Sequence, residues 1–75
     1  MRYQAMRAVR DKSLHVICYE DKFEQLPDEV RHRGPWQGLK RGNVETLKAD
    51  YRLALAREGY VIVQQPVGVF SPEHG

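Results

Sequence analysis

Seventy-five residues, 41% of them hydrophobic and 29% charged, with a net charge of +2 at pH 7, allow one hydrophobic core and exclude a two-domain enzyme. The apolar share is too high for a wholly disordered chain, and no apolar run nears the roughly 18 residues of a membrane span. No membrane partner is therefore expected. The polar start Met1-Arg2-Tyr3-Gln4 lacks the apolar stretch of a secretory signal, so the cytoplasm is the expected compartment.

Arg2 to Val9 is expected as a first strand, closed by a turn around Arg10-Asp11-Lys12-Ser13. Gln4, Ala5, Met6, Arg7 and Ala8 are also good helix formers, which leaves strand and helix both open there. Leu14-His15-Val16-Ile17-Cys18-Tyr19 is rich in β-branched and aromatic residues and short enough to be a strand. Phe23, Leu26 and Val30 then fall at helical offsets. Pro27 suits a first turn, Asp28 and Glu29 favour the positive helix end, and Gly34 lies beyond, so a short helix is expected over 27–32.

Three glycines and a proline in Gly34-Pro35-Trp36-Gln37-Gly38-Leu39-Lys40-Arg41-Gly42 predict a loop. Asn43 is the expected N-cap of a helix running through Glu58, with Val44, Leu47, Tyr51, Ala54 and Leu55 along one face. Gly59 is placed for a left-handed stop, with Tyr60 packing back on Leu55. Tyr60 to Gln65 predicts a last strand limited by Pro66, with Val67 to Phe70 prolonging it after a kink. Residues 1–70 are expected as the single domain and 71–75 as a flexible tail.

The expected fold is α+β: a small antiparallel sheet in ββααβ order with two helices on one face. The strands expected at 14–19 and 60–65 are nevertheless apolar on both sides, whereas a one-sided sheet alternates apolar with polar residues. The second face needs a cover. A second copy, packed through the sheet or through Leu53, would supply one; the N-terminal segment or Val67–Phe70 folding across would supply another.

The charge is unevenly distributed. Residues 14–30 hold Glu20, Asp21, Glu24, Asp28 and Glu29 against Lys22, a local net of −4, while residues 31–42 hold Arg31, Arg33, Lys40 and Arg41 without an acid, a local net of +4. The acids have ordinary roles as solvated surface and helix-end residues, and a chain this short has little volume for a two-carboxylate cleft. Arg2, Arg7, Arg10 and Lys12 form a second cationic stretch, read as guarding an edge strand. Cys18 is the only cysteine, so no internal disulfide forms, and its odd spacing from His15 sends the two to opposite faces of a strand. No spacing of the three histidines suggests metal ligands.

The stretch 31–42 is the most informative. Arg31, Arg33, Lys40 and Arg41 flank Trp36, combining cations for phosphate with a ring on which a base can stack. Asn43 then opens a helix whose free N–H groups favour an anion. It is not a Walker loop, because Gly38-Leu39-Lys40-Arg41-Gly42-Asn43 lacks the frame and the Lys-Ser/Thr ending.

The expectation is a non-enzymatic interaction module without cofactor or metal, binding a protein partner or its own copy. The alternative is weak binding of nucleic acid or a phosphate ligand through Arg31, Arg33, Trp36, Lys40, Arg41 and Asn43. Either use of this stretch requires its cations to be free of internal pairing.

Overall fold

A computed structural model describes residues 1–73. Four strands, β1 (Arg2–Ala8), β2 (Leu14–Tyr19), β3 (Trp36–Asn43) and β4 (Tyr60–Gln64), form one antiparallel sheet in the order β3-β1-β2-β4. A 3-10 turn, Phe23–Gln25, and the helix α1 (Asp28–Arg31) link β2 to β3. A second 3-10 turn, Val44–Thr46, and the helix α2 (Ala49–Glu58) link β3 to β4. The class is α+β, but the element order is ββαβαβ, not ββααβ.

β1 is a strand because both of its sides are taken up by the core. Tyr3 and Ala5 on one side, and Met6 and Ala8 on the other, are buried. Tertiary packing here overrides the helix propensity of Gln4 to Ala8. The turn into β2 is closed by the Asp11 carboxylate, which accepts from the Ser13 N–H and the Ser13 hydroxyl at 3.0 and 2.7 Å.

The two helices lie on opposite faces, which corrects the expectation of one. Tyr51 and Leu55 of α2, with Leu47, pack on Tyr3, Ala5, Ile17 and Val63. Val30 of α1, with Leu26, packs on Met6, Val16 and Cys18. Each side of the sheet thus has its own cover, and the apolar run along both sides of β2 is accounted for within the chain. Tyr60 accordingly joins the α1 side and does not pack back on Leu55.

The segment expected as a loop is β3. Gly42 stands opposite Tyr3, and a Cβ at position 42 would come within 2.9 Å of the Tyr3 ring and of the Glu73 carboxylate. The missing side chain is what lets a large ring lie across the neighbouring strand. The expected helix start at Asn43 is also displaced. Asn43 Oδ1 accepts from the Glu45 N–H at 3.0 Å and so caps only the 3-10 turn. Leu47, fully buried, then runs extended into the core before α2 begins at Ala49. Gly59 ends α2 as expected, with φ 85° and its N–H on the Leu55 carbonyl at 2.9 Å.

Val67–Phe70 does not prolong β4. After Pro66 the chain turns, with the Val69 N–H on the Pro66 carbonyl, and Phe70 stacks on His15 with ring centroids 4.0 Å apart. Ser71 to Glu73, expected in the flexible tail, pass back across the α2 face: Pro72 accepts from the Lys48 N–H at 3.0 Å, and Glu73 bridges to Leu47. His74 and Gly75, the rest of that tail, lie outside the described residues. No helix among the described residues is long and apolar enough to cross a membrane.

Candidate functional site

The six residues singled out in the sequence do not converge. Arg31, the last residue of α1, is paired with Asp28 one turn earlier. Lys40 lies 3.3 Å from Glu73. Trp36 is half-buried against the α1-side core, and its indole N–H donates to the Val30 carbonyl at 3.2 Å. Asn43 is a turn cap, and the start of α2 that it was expected to form lies six residues further on. Of the four cations in the stretch 31–42, Arg33 and Arg41 make no ion pair among the described residues.

Strand geometry separates these side chains further. Lys40 stands opposite Ala5 and so faces the α2 side, whereas Arg41 stands opposite Gln4 and faces the α1 side. Leu39 is the extra residue of a bulge between these pairs and the Met6–Gly38 pair. The bulge resets the alternation, so Trp36, opposite Ala8, shares a face with Arg41. Their partners on β1 are four residues apart, about 13 Å at strand rise. An open recess of about 340 Å³ lies over this bulge, lined by Gln4, Gly38, Leu39, Lys40 and Arg41. Its cations point to different sides, so it does not assemble the phosphate-and-base site expected from the sequence.

The titratable groups that do meet form a clamp. The Tyr3 hydroxyl donates to Glu73 at 2.7 Å, and Lys40 faces the other carboxylate oxygen. Burial, then the bond to Glu73, pushes the Tyr3 phenol well above its ordinary value. The bonds from Tyr3 and Lys40 hold Glu73 below the usual carboxylate range. Proton and charge are each settled in their places, which favours anchorage of the C-terminal segment over proton transfer. Cys18 is fully buried, and burial pushes its thiol up to about 11, so at neutral pH it is protonated and shielded. His15 faces the opposite side, as its spacing requires. No group of three or more His, Cys, Asp or Glu residues among the described residues is placed to hold a metal ion.

What sequence reasoning missed is the contrast between the two sheet edges. β1, expected at an edge on account of its arginines, is central; β3 and β4 are the edges. β3 carries Lys40, Arg41, two glycines and the bulge, features that discourage a further strand. β4 reads Tyr60-Val61-Ile62-Val63-Gln64, without a charge. The Gln65 N–H points to the carbonyl of Ser13, the residue before β2, at 2.9 Å. By antiparallel alternation Val61 and Val63 also point inward, and the N–H and C=O groups of Tyr60, Ile62 and Gln64 point outward. Pro66, in the same outward phase, carries no N–H and ends the row. The signal available in the sequence was an uncharged β-branched run ending at proline.

No family model, curated protein or solved structure matches this chain.

Proposed function

We propose that this chain is a non-catalytic binding module that takes a protein partner as an added strand along β4. The observation that carries this reading is the asymmetry of the edges: one is charged, glycine-rich and bulged, the other uncharged, apolar and lined with outward backbone donors and acceptors. Strand addition draws its affinity from main-chain hydrogen bonds and its selectivity from alternate side chains. The protonated buried thiol and the settled Tyr3–Glu73–Lys40 clamp support a binding role over catalysis.

The test uses a capped synthetic peptide of the sequence 59–65 as a strand probe. Titrated into dilute, isotopically labelled chain, it should shift the amides of Tyr60, Ile62 and Gln64 and slow their hydrogen exchange, leaving β3 unchanged. No response at β4 up to millimolar peptide would refute the reading.

A second reading, weak binding of nucleic acid, keeps one observation. The Val9 N–H meets the Pro35 carbonyl at 2.9 Å, which brings Arg10 and Lys12 to the same end of the sheet as Arg33. The Asp11 carboxyl, held low mainly by its bonds from Ser13, feels the Arg33 charge there as a minor effect.

A further inference from the structure

We infer that the partner at β4 is a second copy of this chain, paired antiparallel about a two-fold axis through Ile62; this rests on the reading of β4 as a docking edge. The edge is self-complementary. The outward residues Tyr60, Ile62 and Gln64 are symmetric about Ile62, so a two-fold sets Ile62 against Ile62 and Tyr60 against Gln64. Each outward residue then donates one N–H to the other copy and accepts one in return.

The side chains agree with that register. On the α2 side Val61 meets Val63 of the other copy, and on the α1 side the two Ile62 residues meet, so both faces gain cross-strand apolar pairs. No charged residue lies within β4, and no like charges are opposed along the seam. The register leaves Pro66 beyond the pairing.

A copy is favoured over a charged strand because this register opposes only uncharged residues, Val61 to Val63 and Ile62 to Ile62 among them. The two faces need no rearrangement, since α1 and α2 already cover them. Leu53, the other surface considered for self-association, is 57% exposed and lies on the side of α2 away from Tyr51 and Leu55. An isolated exposed leucine of this kind is ordinary. Pairing through two five-residue strands buries little area, so the assembly is a reversible, concentration-dependent dimer.

The full chain tests this by sedimentation and by amide exchange over a concentration series. The mass should rise from 8.7 kDa toward twice that value, with Tyr60, Ile62 and Gln64 gaining protection in step. Because residue 62 faces residue 62, Ile62→Lys and Ile62→Glu should each remain monomeric, like charges being opposed, while an equimolar mixture of the two should associate again. A wild-type chain that stays at 8.7 kDa to millimolar concentration overturns the inference, as do two folded monomeric variants whose mixture does not associate. If either variant loses the near-ultraviolet signal of Trp36, wild-type exchange decides: protection growing with concentration supports the dimer and flat exchange overturns it. A monomeric wild type whose β4 amides still respond to the 59–65 peptide retains the docking reading and discards the second copy. A dimer with unprotected β4 amides discards both.

Discussion

His15 is fully buried on the α2 side of the sheet, its ring stacked on Phe70 and its Nδ1 3.1 Å from the Ser13 carbonyl. Among the described residues its Nε2 has no hydrogen-bond partner, and neither do the buried Arg7 Nε and Gln65 Oε1. Burial lowers the His15 pKa from the ordinary 6.5 and outweighs the Ser13 and Val63 carbonyls, which raise it; the smaller effects of Arg7, lowering, and Asp11, raising, oppose each other. The sign follows: the folded chain binds the proton less readily than the unfolded one, so stability is complete above 6.5 and declines as pH falls below it. Asp11 and Glu73, whose carboxyls are held below 3.8 and 4.5, lose their contributions in the same direction but only at lower pH. Urea unfolding between pH 7.5 and about 5 should therefore show a decline in midpoint that His15→Leu abolishes. An unchanged decline in the variant would assign it to another group. At pH 7.5 the variant should stay near wild-type stability, because the change removes an unpaired buried polar atom along with one hydrogen bond.

At the scale of elements, β3 shows what local pattern reading could and could not reach. β2, β4, the short helix after Pro27 and the Gly59 stop were legible because periodicity, a proline and a left-handed cap are local signals. Glycines 38 and 42 misled because their meaning is set by β1: Gly42 is required by the Tyr3 ring, which is remote in sequence. The start of α2 was hidden for a similar reason, since Leu47 has the spacing of a helical core residue but enters the core from an extended segment. As to the candidate site, the residue types were visible, but their mutual placement depends on a bulge and on strand order, which a period of two does not encode. The open edge was likewise unreadable until β1 was known to be central. Gly42→Ala tests the account of β3. Its Cβ would lie 2.9 Å from the Tyr3 ring and from the Glu73 carboxylate, so it should destabilise the fold by about 1–3 kcal/mol. The loss should shrink when Tyr3 is shortened to Leu in the same chain. Additive effects in a double-mutant cycle would show that the two positions are independent.

Across the whole molecule, sequence-separated charges collect at opposite ends of the sheet. Arg10, Lys12 and Arg33 lie at the end where β1 leaves, whereas Glu20, Asp21 and Glu24 follow β2 at the other, where the Glu20 N–H meets the Arg2 carbonyl at 3.0 Å. The radius of gyration, 11.2 Å, matches the roughly 11 Å of a folded chain of this length. The chain is thus as compact as a folded domain of its length, with a core on each side of the sheet. These features bear on the nucleic-acid reading. Three cations at one end give a salt-sensitive attraction for phosphate, but a net charge of +2 and an acidic far end limit its strength. Trp36 is half-buried against the α1-side core with its N–H on Val30, which leaves less of its ring for a stacked base. Titrating single-stranded oligonucleotide at low ionic strength should accordingly leave the Trp36 emission unchanged. A saturable quench that weakens steeply with added salt and disappears in Arg33→Glu would instead locate a working phosphate surface at the Arg10–Lys12–Arg33 end, and would rank nucleic acid above a protein strand as the ligand.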